Sequence, residues 1–475
     1  MLKAPSRKTI NSVILCKYST FFYDICRMKG LRICFILALF LPIEASAQFA
    51  DTLNVTYGLP AVRTESWHTG KKIGLSFIEG QAFNTAFLLF DKHILKADYA
   101  QVTFEKIKQN LKFGTGWDND AVGINMIGHP AQGAVYHIIN RLNGISFWGS
   151  LPITFIDSAI WEFLCETEPP SPNDFFTTSW NGIIVGEALW RIGNYAFYKS
   201  ARKGVDFSLK AGLGARAVTE LYHSIPPPAN SPAAGAGASL TVDVVYGDRL
   251  HVRNNAPMNF FDLHLTASVG TGQSPIGEFT LLGRLWGTEL EVKKGEALFG
   301  IFDHMSTFLS ESWTEKRAPY RCSEATSAGP GIIYSHNGFT TGAFVAATLI
   351  GAATTDYYNV YDRDYNFGSG YSIKSLNTFE ASEAFSVALN FRHYQLFTFW
   401  GDKPTDIPDR HYVNSMGDNG TTLTEVLNLK AFFKPIKHFG IELSAFFIHR
   451  SSFYRIHPPA KASHLTAELG LRYCL

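Results

Sequence analysis

The sequence predicts a mainly β fold, a transmembrane antiparallel β-barrel of about twelve strands (10–14 in range) preceded by an α-helical module, and three observations carry this. Residues His464 to Leu475 alternate without a fault: Leu465, Ala467, Leu469, Leu471, Tyr473 and Leu475 are apolar, and the residues between them are mostly polar or small. A period of two sends one set to each face of a strand. The same pattern recurs from Val205 onward in runs of about nine to eleven residues or more, the length a tilted strand needs to cross a bilayer. Strands of a soluble sandwich are usually nearer about five or six residues. A secretory signal stands ahead of all of them.

That signal starts at Met28. Met28-Lys29-Gly30-Leu31-Arg32 is a basic n-region, Ile33 to Leu41 an apolar h-region, and Ala45-Ser46-Ala47 a small-x-small cleavage site with Gln48 as the mature N-terminus. The apolar run is too short for a bilayer anchor, which needs about 20 residues. The organisation expected is a signal region at 1–47, a helical module at 48–203 and a barrel at 204–475.

Composition narrows the function. The net charge of +1, without any basic run, gives no reason to expect a nucleic-acid partner. Outside the signal region only Cys165, Cys322 and Cys474 remain, far apart and odd in number, so neither a disulfide framework nor a Cys-based zinc site is suggested. Aromatic residues make up 14%, led by 38 Phe, against 17% charged residues, which suits a barrel with aromatic girdles facing lipid. The mature chain has no uncharged apolar stretch of about 18 residues, so nothing would arrest it in the inner membrane.

From about Thr52 to Ser200 the apolar spacing is helical or irregular. One or two helices are expected over 83–110, then helices over Ile124–Asn140, Ser158–Glu168 and Asp174–Ser200. Pro169-Pro170-Ser171-Pro172 breaks the chain before the last, with Asn173 or Asp174 as its cap. Gly182, Gly186 and Gly193 lie near one face of that helix and suggest close backbone packing. The helices read as too short and too mixed to be membrane spans, so the module is expected to plug the lumen or cap the periplasmic mouth.

The strands are expected near 204–213, 239–247, 260–270, 278–288, 296–304, 330–336, 338–350, 366–375, 384–400, 422–434, 438–449 and 464–475. If the first runs outward, the outer loops are mostly long. The inner turns, including Asn337-Gly338 and Lys434-Pro435-Ile436-Lys437, are short, as periplasmic turns should be. The connection 248–259 is longer than this pattern wants, and Pro226 to Ala238 reads as an exposed loop. Lumen-facing positions include Asp206, Lys210, Asp243, Asp262, His264, Arg284, Arg392, Lys430 and Glu442, with both signs of charge and no ion preference.

Several ordered motifs resemble a family. Gly116-Trp117-Asp118-Asn119-Asp120, Asn125, Gly128-His129-Pro130-Ala131-Gln132-Gly133-Ala134 and Tyr136 begin the signature. Arg141, Gly144, Ser158, Trp161-Glu162, Glu166, Ser171-Pro172-Asn173-Asp174 and Gly186-Glu187 continue it. This is similar to the uncharacterised outer-membrane proteins of domain-of-unknown-function family 3943, over roughly residues 110–200. The resemblance implies an outer-membrane protein of Gram-negative bacteria and carries no activity.

The polar residues of the module are the candidate site. Glu162 and Glu166 are i,i+4 and share a helix face, while His129, Asp174 and Glu187 come from other segments. A His with several carboxylates could bind a metal or act as acid and base. No HExxH and no Glu-x-x-His pair occurs, so no metal or cofactor is assigned. The competing reading is a buried polar network that fixes helix packing, with Glu187 paired to Arg191. In the barrel, His304-Met305-Ser306 places His and Ser on one strand face, an arrangement that could serve an acyl hydrolase. Tyr334-Ser335-His336-Asn337-Gly338 superficially resembles a phospholipase motif but reads as a hairpin turn.

The function expected is non-enzymatic: an outer-membrane barrel with an envelope structural, assembly or solute-passage role. Its partners would be outer-membrane lipid and, during insertion, the barrel-assembly machinery. The alternative is a hydrolase of envelope lipid or polymer using the His/carboxylate cluster.

Overall fold

The structure, a computed structural model, describes residues 70–117, 120, 122–197, 205–222, 234–252, 255–270, 273–310, 320–356, 365–399, 419–455 and 457–475. The signal region, its cleavage site, the boundary near 203, Asp118, Asn119 and residues 226–233 lie outside them.

Twelve strands form one closed antiparallel barrel in which each pairs with its sequence neighbours and β1 pairs with β12. They are β1 (Val205–Tyr222), β2 (Ala234–Tyr246), β3 (Phe261–Gly270), β4 (Gln273–Glu291), β5 (Glu296–Ser310) and β6 (Cys322–His336). The rest are β7 (Phe339–Thr354), β8 (Tyr365–Ser382), β9 (Phe385–Thr398), β10 (Gly420–Ile436), β11 (Phe439–Tyr454) and β12 (Ala460–Cys474). Every strand expected from period-two spacing is present, most of them longer. Alternation fades where strands leave the apolar belt, whereas the hydrogen-bond ladder continues. Closure is complete, from Ser208↔Cys474 to Tyr222↔Ala460, so the sheet has no free edge.

The two faces have opposite character. Leu213, Leu240, Leu265, Leu443 and Leu469 point outward and are exposed. Lys210, Glu278, Arg392 and Glu442 point inward and are buried. Asn337 (φ 48°) and Gly338 (φ 77°) make a two-residue turn with both residues left-handed, the hairpin geometry that Asn-Gly favours. At the other short turn the strands run through to Ile436 and Phe439, so the turn is Lys437-His438 rather than 434–437.

The described residues of the long 248–259 connection lie at the short-turn end, with Leu250 and Val252 packed against lumenal side chains. Arg284 holds them there, donating to the carbonyls of Arg249 (3.1 Å), Asp248 (3.0 Å) and His251 (3.3 Å), and to Asn259 Oδ1 (2.9 Å). Leu250, Val252 and Phe260 thereby join Leu282, Leu298, Phe302 and Phe344 in an apolar layer inside the barrel.

The helices are α1 (Gly70–Phe90), α2 (Phe104–Phe113), α3 (His129–Leu142), α4 (Phe147–Leu164), α5 (Pro172–Phe176) and α6 (Gly182–Phe197). Three π-helical turns, Asp91–Leu95, Ile124–Gly128 and Thr177–Asn181, interrupt them. Local chemistry sets the starts. Thr103 caps α2 by accepting from Lys106 N (3.3 Å), and Ser146 caps α4 by accepting from Gly149 N (3.1 Å). Ser171, not Asn173 or Asp174, caps α5, accepting from Asp174 N (3.3 Å), because Pro172 occupies the first helical position.

The described helices of the module neither plug the lumen nor cap its mouth. They pack on the outer wall. Ile183, Ile184, Ala188 and Phe147 form one core with Val244, Phe261 and Leu281, whose strand parity is that of the exposed Leu240 and Leu265. At the other end of the barrel, Val122 and Met126 pack on Ala352, Tyr365 and Phe367. The lumen is crossed by its own side chains instead. Arg392 of β9 is ion-paired to Glu278 of β4 across the barrel.

Leaving one member of that buried pair alone strands a charge in the lumen, so Arg392→Met is expected to destabilise the barrel by about 3–5 kcal/mol. The check is the denaturant midpoint of the folded, heat-modifiable form. An unchanged midpoint would show that the pair does not hold the lumen.

Candidate functional site

The seam between α3 and α6 builds the centre of the module. A Cβ on Gly133 would lie 1.6 Å from the Thr178 carbonyl oxygen, one on Gly182 2.5 Å from Gly133 Cα, and one on Gly186 2.9 Å from the Ala134 carbonyl oxygen. The close packing expected of Gly182 and Gly186 is therefore present. Gly193 has nothing within 4 Å and takes no part.

With the backbones this close, polar side chains flanking the seam converge into separate clusters. His129 Nε2 lies 3.2 Å from Asp174 Oδ1, and its Nδ1 lies 3.2 Å from Thr178 Oγ1. Glu187 is the hub of the second cluster. His137 Nε2 is 2.9 Å away, Arg141 Nε 2.9 Å and Arg191 Nη2 2.8 Å, while Trp190 lies under the Arg141 guanidinium with its ring centroid at 4.1 Å. The i,i+4 pairing of Glu187 with Arg191 is as expected.

Glu162 and Glu166 do not act together. Glu162 accepts from Ser171 N (3.0 Å), tying α4 to the start of α5. Glu166 lies beyond the end of α4 at Leu164 and accepts from Trp161 Nε1 (2.5 Å). The helix shared by the two glutamates is therefore corrected: it ends between them.

A third set joins α1 to α3 and α4. Ser76 donates to Asn140, Gln81 Nε2 donates to Asp157 Oδ1 (2.6 Å), Asn84 Nδ2 donates to the Asp157 carbonyl (3.2 Å), and the Tyr136 hydroxyl donates to Asn84. Asn125 carries the network to the wall, donating to the Tyr365 hydroxyl (2.7 Å) and accepting from Asn173 Nδ2 (3.2 Å).

The line Thr178–His129–Asp174 has the order of a hydroxyl, imidazole and carboxylate in nucleophilic catalysis. Thr178 is 1% exposed and its carbonyl is wedged against Gly133, so no reacting carbonyl can approach its hydroxyl. Among the described residues no group of three or more His, Cys, Asp or Glu side chains is placed to hold a metal ion. A rim depression of about 390 Å³, lined by Leu250, His251, Glu289, Glu291 and Glu296 among others, contains none of His129, Glu162, Glu166, Asp174 and Glu187. The geometry is that of a network locking helices together. His137 and Arg141 escaped attention as site residues, although their i,i+4 spacing one turn beyond Gly133 aims both at Glu187.

In the barrel, His304 faces the lumen and is buried, its Nε2 3.2 Å from Glu324 Oε2, which also pairs with Lys374 Nζ at 2.7 Å. This places it in the lumenal charge layer rather than at an open rim. The side chain of Ser306 lies outside the described residues.

Fold and site together define a closed twelve-stranded barrel with a helical bundle that is locked by a buried polar network and packed on the outer wall through an apolar core. Residues 114–212 match the family model described as Domain of unknown function (DUF3943), a span running from the approach to α3 into β1. No curated protein matches the sequence. Among solved structures, the NanC porin is similar at 7% identity, covering 56% of this chain and 98% of that one, with a TM-score of 0.25. An outer-membrane channel from Pseudomonas putida F1 is similar at 8% identity over 57% of this chain and 94% of its own, TM-score 0.27. The outer-membrane channel DcaP of Acinetobacter baumannii is similar at 9% identity over 57% and 98%, TM-score 0.25.

Gly133→Val forces α3 and α6 apart and is expected to expose the module to limited proteolysis, at a cost of several kcal/mol. Gly193→Ala meets open space and is expected to be neutral or to stabilise by up to about 1 kcal/mol. Equal protease sensitivity of the two variants would refute the seam.

Proposed function

We propose that this chain is a non-catalytic barrel of the Gram-negative outer membrane, exported by the signal at 28–47 and inserted by the barrel-assembly machinery, with a structural or assembly role in the envelope. The observation that carries this is the lumen. The Arg392–Glu278 pair crosses it. On one side lies the apolar layer of Phe260, Leu282, Phe302 and Phe344, and on the other a layer of Tyr320, Tyr394, Leu396, Val426 and Ile448. Charges pair in the lumen as well: Lys210 lies 3.1 Å from Glu442, and Arg472 bridges Asp243 (2.6 Å) and Glu442 (2.5 Å). On this reading the two layers and the pairs between them hold the shape of the wall and seal its axis.

A second reading, gated solute passage, rests on one observation. The connection between β2 and β3 lies at the short-turn end, and one side chain, Arg284, clamps its residues 248–251. Removing the clamp frees three backbone carbonyls and lets the loop swing out.

Planar-bilayer recording tests both readings. The wild-type protein is expected to be silent, and steady conductance would overturn the sealed-lumen reading. Channel openings in Arg284→Ala would favour gated passage, whereas silence would leave the structural role.

A further inference from the structure

We propose that the helical bundle lies within the bilayer, its outward surface covered by lipid acyl chains rather than by water. This rests on the reading of the barrel as a membrane protein and adds what surrounds the helices.

Three features of the bundle point to acyl chains as the occupant. First, it continues an apolar wall. The bundle covers Val244, Phe261 and Leu281, while Leu209, Leu240 and Leu265 on the same wall stay exposed beside it. Whatever covers those leucines meets the bundle next.

Second, the polarity of α1, α3 and α4 is inverted relative to a soluble helical bundle, while the exposed charges of α2, Glu105 and Lys108, follow the Lys92–Lys96 end of α1. Ser76, Asn84, Asn140, Thr154 and Asp157 are buried between helices, and Ile73, Phe77, Ile78, Leu89 and Phe90 point away from them. In water the apolar stripe of a helix turns inward and its polar stripe outward. In lipid, polar groups find partners only inside the bundle, and apolar side chains face out.

Third, the length and the charges fit. Lys72–Leu95, continuous through α1 and its π-helical turn, has 24 residues, a mean hydropathy of 1.2, and only 17% of its best window buried. At about 1.5 Å per residue it spans about 36 Å, enough for a hydrocarbon core of about 30 Å. Between Lys72 and Asp91 the only charged residue is Glu79, which accepts from Asn143 Nδ2 (2.6 Å). Lys72 stands at one end of the stretch, and Lys92 and Lys96 at the other, where long amines reach the headgroups. The expectation that no helix here could span a membrane is thereby reversed. Its one glutamate has a partner, and its apolar residues, dispersed among Gly, Ser and Thr, make no unbroken run.

The test places a fluorophore on single cysteines in a Cys474→Ser background of the exported chain from Gln48 onward, which lacks Cys16, Cys26 and Cys34 and in which Cys165 and Cys322 are buried. Ile78→Cys and Leu89→Cys report the bundle, Leu443→Cys the barrel wall, and Glu380→Cys a strand end with an exposed side chain. Heat-modifiable migration confirms that each variant folds, and Leu89→Cys serves if Ile78→Cys does not. In vesicles containing nitroxide-labelled acyl chains, the bundle labels are expected to be quenched by lipid as strongly as the Leu443 label. Iodide should quench them several-fold less than the Glu380 label. Iodide quenching equal to that at Glu380 would put the bundle in water and overturn the inference. Protection from both quenchers together with a cross-linked dimer would replace lipid by a second copy, and overturn it too. A Leu443 label untouched by lipid would instead sink the membrane reading of the barrel itself.

Discussion

Closure of the sheet through the β1–β12 ladder is the constraint on which the rest depends. A strand at an open edge leaves a row of N–H and C=O groups without partners, and apolar surroundings offer none. Once the two ends pair from Ser208↔Cys474 to Tyr222↔Ala460, each strand residue has only two destinations, the lumen or the outer wall. Side-chain polarity then sorts itself by that choice alone. Most strand lysines, glutamates and arginines go in and most leucines go out, so the lumen becomes a polar core set between two apolar layers.

Turning charges inward creates the next problem, since a narrow lumen offers little water to solvate them. The solution is mutual neutralisation. Glu278 takes Arg392 from across the barrel, Glu442 takes Lys210 and Arg472, and Glu324 takes Lys374. The helical bundle answers the same problem with other materials. Its interior is again polar, with Glu187 between Arg141 and Arg191 and with amides and hydroxyls bonded across α1, α3 and α4. Barrel and bundle are two inward-polar bodies placed side by side.

The strands were legible because a period of two sustained over many residues has no competing explanation. Turn chemistry such as Asn337-Gly338 brought the count to about twelve, within a range of 10–14, and the closed ladder fixes it at twelve. The helices were legible as helices but not in their extents. Each π-helical turn inserts an extra residue, so Ile124–Asn140 reads as one helix although its face shifts at His129. The cluster of carboxylates was visible as composition, but its division was not. Whether His129 meets Asp174 or Glu187 depends on how far α6 slides along α3, and that is set by backbone contact at Gly133 and Gly182, which spacing does not encode. The seat of the bundle was the least legible feature. An apolar stripe such as Ile183, Ile184 and Ala188 would bury equally well against a lumen or a wall, and only the contact with Val244, Phe261 and Leu281 decides between them.

The wall itself carries the imprint of the bundle. Asp303 has outward parity, paired with Gly283, where a carboxyl would meet an apolar surrounding, yet it is 2% exposed and accepts from Trp180 Nε1 (3.3 Å) of the bundle. Gly283 leaves a dimple on the same face that Met258 fills, and Met258 is itself packed under α6. At the far end the Tyr365 hydroxyl, also on the outer face, accepts from Asn125 (2.7 Å) and donates to the Asp120 carbonyl (2.6 Å). A bare barrel wall would be harmed by each of these residues, since polar atoms there would lack partners. The outward strand positions are therefore of two kinds, those dressed for apolar surroundings and those dressed for helices, and the second kind runs from β1 to β8 along the path of the bundle. Such complementarity makes the bundle part of the barrel's outer shape rather than a domain tethered to it.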